Sequence, residues 1–318
     1  MKETNFIKKY LLPLSKNFRG SLNLDDDAAI LDHFKNENYL ISVDNFIQGI
    51  HCPTFLNPKL MAIRAILCAT SDLAAMGVSP YCILLSISIP KLKNNIILKN
   101  IVKGIDQAIN MVRIKIAGGD LVSYDGPIAI CVTAVGRKNP SQKILLRKGG
   151  KEGDYIGVTG YIGDSYIGLN LLQNKVKASN RKQKKIAIDA FLYPPQLHDF
   201  AKNLSNYASC CIDISDGLIQ DLGKLGELAE CRVKLSSKDI PLSDYVKLLI
   251  KSKKFILKDF LTAGDDYQLA FTFDEKKLQQ IQKLQDKFKL NISVIGQLTN
   301  GKGVFLDNKR VSGGFSHL

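Results

Sequence analysis

Six short acidic clusters punctuate this chain, each beside glycine, serine or an apolar run: Asp25-Asp26-Asp27, Ser42-Val43-Asp44, Ser71-Asp72, Gly118-Gly119-Asp120, Asp213-Ile214-Ser215-Asp216 and Gly264-Asp265-Asp266. Acids in such places belong at the ends of buried elements, not on lysine-laced surfaces. That constrains the fold to one that carries several carboxylates to its inner edges. Carboxylates that converge need a counter-cation, and hard oxygen ligands suit Mg²⁺, usually together with substrate phosphates. The chain therefore reads as a Mg²⁺-nucleotide enzyme.

Strand-like and helix-like stretches alternate around these clusters, which gives an α+β or mixed α/β fold. Residues 39–43 predict a strand, with Ser42 and Asp44 on one face and Asp44 at its end. Asn57-Pro58 opens a helix with a capping residue and a first-turn proline, and Gly77 stops it after Met76. Residues 81–89 predict a buried strand, 96–111 a helix, and 113–117 and 128–136 further strands. The polar, proline-containing stretch 137–142 marks a boundary, so the expected domains are residues 1–138 and 139–318. In the second, 155–159 and 210–214 read as strands, 165–172 and 217–229 as helices, and 175–185 as a charged, exposed segment. Tyr267, Leu269, Phe271 and Phe273 alternate with Gln268, Ala270 and Thr272, the period-two pattern of a half-buried strand.

Composition excludes several classes. The longest apolar runs, 81–89 and 128–135, fall short of the roughly 20 residues of a membrane helix. Pro13, Ser15 and Lys16 interrupt what would have to be a signal region, so the N-terminus reads as a short amphipathic helix with Phe6, Ile7, Tyr10 and Leu11 on one side. Seven cysteines with no Cys-x-x-Cys pair fit a reduced cytoplasm rather than a disulfide framework or zinc site. Cys68, Cys210 and Cys211 read as small buried hydrophobes. The net charge of +14 could suggest nucleic acid, but only eight of the 44 basic residues are arginine. Lysine runs of this kind are usually solvated helix faces, and no nucleic-acid-binding motif accompanies them.

The acids can be read one by one. Met61, Ala65, Cys68 and Asp72 recur at helical spacing, so Asp72 lies on the apolar stripe of its helix. A buried, unpaired carboxylate is costly, so a metal or strong donor must meet it; a C-terminal-turn acid paired with lysine is the alternative. Asp25-Asp26-Asp27 precedes an apolar run and could equally be a solvated loop. His51 follows Asp44 by seven residues and reads as either a structural histidine or a substrate contact. The glycines of Gly118-Gly119-Asp120 can form a turn that lets backbone approach a phosphate while Asp120 faces the cation. Asp213-Ile214-Ser215-Asp216-Gly217 closes a strand and opens a helix, with Ser215 or Asp216 as its cap and free amides that favour an anion. The glycine-rich stretch 160–168 is another entry into a helix. No P-loop, protein-kinase loop or Gly-x-Ser-x-Gly elbow is present.

In this order, Ser71-Asp-Leu-Ala-Ala-Met-Gly77, Ala117-Gly-Gly-Asp120, residues 147–160, Ile212-Asp-Ile-Ser-Asp-Gly-Leu218 and Gly264-Asp-Asp-Tyr-Gln-Leu269 resemble the thiamine-monophosphate kinase family. That family lies in the superfamily of aminoimidazole ribonucleotide synthetase and selenophosphate synthetase. The resemblance implies a two-domain aminoimidazole ribonucleotide synthetase-like fold, with N-terminal domains that pair strands across a homodimer. It implies ATP as co-substrate, several Mg²⁺ ions, and direct phosphoryl transfer to thiamine monophosphate. The matching metal positions are Asp27, Ser42, Val43 through its backbone, Asp44, Asp72, Asp120, Asp213 and Asp216. Gly119, Asp120, Arg147 and Ser215 match nucleotide contacts, and His51, Asp265 and Phe315 match substrate contacts. No general base is implied; Asp44, Asp72, Asp120 and Asp216 act by positioning. Asp25 stands where the family has glycine, Leu121 and Val122 where it has threonines, Asp265 where glutamate is common, and Phe315 where tyrosine or tryptophan is common. The competing readings are another ATP-dependent synthetase of the superfamily and a non-catalytic nucleic-acid-binding or regulatory protein.

Overall fold

The computed structural model describes residues 7–15, 18, 38–91, 94–138, 141–178 and 180–315. The fold is mixed α/β with two sheets. The chain divides into two compact units: one takes the described residues up to Leu73 together with Val78–Ser141, the other Ala74–Gly77 together with everything from Gln142 onward. Among the described residues no helix is long and apolar enough to cross a membrane. At the N-terminus, where a short amphipathic helix is expected, Ile7–Leu11 forms a π-helical turn and Leu12–Ser15 a 3₁₀ turn; Phe6 lies outside the described residues.

The first unit is built on a four-stranded sheet of order β1-β4-β2-β3, from strands β1 (Asn38–Ile47), β2 (Ser79–Pro90), β3 (Lys115–Tyr124) and β4 (Ala129–Lys138). Helix α1 (Pro58–Ala75) starts where Asn57 Oδ1 accepts from Lys59 N. It ends in a Schellman pattern, with Val78 N donating to Leu73 O, Gly77 N donating to Ala74 O, and Gly77 at φ 72°. Helix α2 (Asn94–Val112) makes the crossover between parallel strands β2 and β3. It approaches α1 so closely at Gly104 that an added Cβ would sit 2.2 Å from Lys59 O.

Three expectations are corrected in this unit. Strand β1 runs on to Ile47, so Asp44 lies inside it, because β4 pairs with β1 over its whole length. Strand β2 alternates between covered and more open positions over most of its length instead of being buried throughout. Gly118-Gly119-Asp120 is not a turn but the middle of β3, held there by parallel pairing with Leu84, Leu85 and Ser86.

The second unit contains strands β5 (Tyr155–Thr159), β6 (Cys210–Asp213), β7 (Arg232–Leu235), β8 (Leu269–Phe273), β9 (Ile292–Thr299), β10 (Gly303–Leu306) and β11 (Lys309–Val311), in the order β11-β10-β7-β9-β5-β8-β6. Its helices are α3 (Asp164–Leu172), α4 (Arg181–Leu192), α5 (His198–Leu204), α6 (Leu218–Leu228), α7 (Asp244–Lys251), α8 (Leu257–Leu261) and α9 (Leu278–Phe288). They cover both faces. One core joins Ile156, Val158, Ile212 and Ala270 to residues of α3, α6, α7 and α8. The other joins Leu269, Phe271 and Phe273 to residues of α5 and α9.

Strand β8 is therefore buried at all five positions, not half-buried. Each large side chain so buried contributes roughly 1.5–3 kcal/mol. The segment 175–185 is a charged surface stretch as expected, with Lys175, Lys177, Arg181, Lys182, Lys184 and Lys185 exposed, and α4 begins within it at Arg181, capped by Asn180. Helix α4 lies against α3 at Gly168, where a Cβ would fall 2.0 Å from Ala187 O. Close helix packing accounts for that glycine of the 160–168 stretch.

Candidate active site

In the first unit the sequence candidates gather where β1 meets α1. Met61, Ala65 and Cys68 are buried, and Asp72 follows them as a half-buried carboxylate one turn from the helix end. The donor expected for it is Ser42, whose hydroxyl donates to Asp72 Oδ2. Asp44 lies two residues beyond Ser42 on β1, on the same face. Val43 points to the opposite side and is 66% exposed. His51 lies in the turn after β1: Ile47 N donates to its Nδ1 at 2.9 Å, and its ring packs on Phe46 at 5.4 Å between centroids. Phe46 in turn packs under the guanidinium of Arg64, which is fully buried in α1. A neutral His51 thus carries its proton on Nε2. Asp27 lies outside the described residues.

Asp120 is not part of that gathering. Register runs straight across the sheet from Asp44 to Val132, Leu85 and Gly119. Three inter-strand steps separate the ends of this row, about 14 Å. Asp120 is one residue further on along β3, opposite Ser86. Gly119 is a strict requirement of this edge, since a Cβ there would lie 2.0 Å from Leu85 O.

In the second unit the candidates meet at a crossing of two loops. Strand β6 ends at the buried Asp213, and Ser215 and Asp216 lead into α6. Asp265 N donates to Ser215 O at 2.9 Å, Tyr267 N to Ile214 O at 2.8 Å, and Phe315 N to Asp216 O at 2.8 Å. The 264–267 loop bends sharply there, with positive φ at Gly264, Asp265 and Tyr267. At Gly264 a Cβ would fall 2.4 Å from Ser215 O, so the crossing needs that glycine. Arg147 is exposed beside β6, where the preceding Leu146 accepts from Cys211 N.

The expected cap of α6 is wrong. Its N-cap is Gly217, at φ 116°, without a side-chain cap. Asp221, inside the first turn and fully buried, accepts from both Asp216 N and Gly217 N. Lys224 Nζ bridges Asp221 Oδ1 at 2.8 Å and Asp216 Oδ2 at 2.7 Å, and Gln220 Nε2 also reaches Asp216 Oδ2. Burial pushes the Asp221 carboxyl above its ordinary value, and Lys224 only partly opposes this. Gln220, Asp221 and Lys224 were not among the sequence candidates, although spacings of four along α6 put Asp216, Gln220 and Lys224 on one side of it.

Among the described residues no group of three or more acidic, histidine or cysteine side chains could hold a metal ion. Magnesium that arrives with nucleotide phosphates needs only one or two carboxylates, since water and substrate supply its other ligands. The oxygen-only sets Ser42, Asp44 and Asp72 in one unit, and Asp213 and Asp216 in the other, fit such an ion.

Residues 25–138 match the family described as AIR synthase related protein, N-terminal domain. The thiamine-monophosphate kinase of Buchnera aphidicola (subsp. Schizaphis graminum) is 32% identical over 99% of this chain and 98% of its own length. The chain belongs to the thiamine-monophosphate kinase family. The thiamine-monophosphate kinase of Escherichia coli K12 is 30% identical over 87% of this chain and 84% of its own. Among solved structures of thiamine-monophosphate kinases, AaThiL complexed with AMPPCP and TMP superimposes with a TM-score of 0.80 at 26% identity, covering 100% of this chain and 99% of that one.

Proposed function

We propose that this protein transfers the γ-phosphoryl group of ATP to the phosphate of thiamine monophosphate, giving thiamine diphosphate and ADP. The observation that carries this reading is the crossing at Ser215 and Asp216. There a nucleotide candidate, a metal candidate and two acceptor candidates, Asp265 and Phe315, hang from adjacent peptide groups. A kinase whose donor and acceptor are both phosphates needs that adjacency, because effective positioning supplies most of the rate.

The acceptor is an anionic phosphate oxygen at neutral pH, so no strong general base is required. When bound, Mg²⁺ supplies the positive charge that lets two phosphate groups approach. Ser42, Val43 through its carbonyl, Asp44 and Asp72 would hold ions where β1 meets α1; Asp27, by family resemblance, is a further ligand. Asp120 would hold an ion at β3, with Gly119 beside the nucleotide. Asp213 and Asp216 would hold ions in the second unit. Arg147 would contact phosphate with its planar fork, and His51 would offer its Nε2 hydrogen to an anionic substrate. A reducing cytoplasm suits the seven free thiols.

The test is formation of thiamine diphosphate by purified protein from thiamine monophosphate, ATP and Mg²⁺. Product that disappears with chelator and returns with Mg²⁺ is expected. Tight ATP binding with no thiamine diphosphate formed would transfer the acceptor role to another phosphate or oxygen nucleophile.

The homodimer belongs to the same proposal. Strand β1 is a ten-residue sheet edge with Ile41 69% and Val43 66% exposed on one face, and Val122 of β3 is also exposed. Long apolar edges invite strand pairing, and a second copy of the chain would cover this one. Ile41→Lys is expected to shift the protein from dimer to monomer mass in light scattering. A variant that stays dimeric at micromolar concentration would remove β1 from the interface.

A further inference from the structure

The segment after β11, residues 312–315, lies in no helix or strand, yet it ends on the aromatic that the proposed reaction assigns to the acceptor. Two hydrogen bonds fix it to α6 and the residue that leads into it. Phe315 N donates to Asp216 O at 2.8 Å, and Gln220 Nε2 donates to Phe315 O at 2.8 Å. The same Gln220 amide nitrogen reaches Asp216 Oδ2 at 3.2 Å, so its two hydrogens link a metal-candidate carboxylate to the backbone of Phe315. Gly314 lies flat on this side chain: a Cβ there would fall 2.3 Å from Gln220 Oε1 and 2.4 Å from its Cβ.

Only a side chain of this length with an NH₂ group can make both bonds. Glutamate has the shape but no donor, and it would set a carboxylate against Asp216 and a carbonyl oxygen. Methionine has the length and no polar reach. Asp216 Oδ2 is itself held by Lys224, so the amide takes its direction from a fixed point.

We propose that Gln220 is a positioning residue that seats the C-terminal aromatic segment and thereby sets affinity for the phosphate acceptor rather than for ATP. The inference rests on Phe315 as an acceptor contact. It goes further in naming the residue that holds Phe315 in place.

The experiment compares Gln220→Met, Gln220→Glu, Phe315→Ala and the double variant Gln220→Met/Phe315→Ala in full-length protein, measuring KM for each substrate. Loss of the amide's hydrogen bonds is expected to raise KM for thiamine monophosphate roughly 5- to 10-fold, with KM for ATP within about 2-fold. Gln220→Met added to Phe315→Ala is expected to change little, because the two act through one contact. If Phe315→Ala raises the acceptor KM and Gln220→Met does not, the inference is overturned and the acceptor role of Phe315 stands. Parallel rises in both KM values would also overturn it, as the mark of general disruption. If Phe315→Ala is itself silent, the acceptor role of Phe315 falls and the inference falls with it.

Discussion

Asp72→Asn lowers turnover by roughly 10²–10³-fold, the scale of losing one fixed electrostatic contact at a reacting centre, while the unfolding transition moves little. Asparagine keeps the volume and the oxygen that accepts from the Ser42 hydroxyl, so the junction of β1 and α1 stays formed. What disappears is a negative charge on the otherwise apolar stripe of Met61, Ala65 and Cys68. Ser42→Ala gives the complementary result. The carboxylate remains but loses its orienting donor, so the Mg²⁺ concentration for half-maximal rate rises more than the maximal rate falls. The decisive measurement is thiamine diphosphate formation across a Mg²⁺ titration, beside circular dichroism melts of the same samples. Full turnover in a folded Asp72→Asn protein would take Asp72 out of the reaction.

Asp72 was legible in the sequence because its evidence is local: four residues at helical spacing, one of them charged. The order of the acidic motifs was legible for the same reason, and with it the family. Gly118-Gly119-Asp120 was misread because two glycines in a row look like a turn. Only the pairing of β3 with Leu85 makes them a strand, and that partner lies more than thirty residues away. The burial of β8 on both faces was hidden likewise. Its alternation of Leu269, Phe271 and Phe273 with Ala270 and Thr272 records large and small side chains, whereas the second helix layer that covers it is tertiary. The register of β1 against β3, which parts Asp44 from Asp120, follows from strand order and cannot be seen along the chain.

Asp221→Ala destabilises the protein by about 2–4 kcal/mol, since two backbone donors at the start of α6 lose their acceptor at roughly 1–3 kcal/mol each, while Lys224 retains Asp216. The lower part of the range applies because the Lys224 side chain is 35% exposed and can turn to water. The loss is more than one ion pair. Asp216 N and Gly217 N both give up their acceptor at the start of α6, and Asp216 keeps Lys224 but loses the turn that aims it. Activity therefore falls with stability, unlike in Asp72→Asn. Asp221→Asn is no remedy, because an amide that accepts from the two backbone groups turns its NH₂ toward the Lys224 ammonium.

The pH dependence gives a second readout. Burial raises the folded-state pKa of Asp221 above its unfolded value, so its protonated form favours folding. That contribution is full below the ordinary carboxylate value of about 3.9 and is lost as pH rises through the folded value. The stability gap between wild type and Asp221→Asn is thus widest in acid and narrows as pH rises. Urea unfolding at a series of pH values measures it, and a gap that widens toward neutral pH would mean that the ion pair with Lys224 outweighs the burial of the carboxyl.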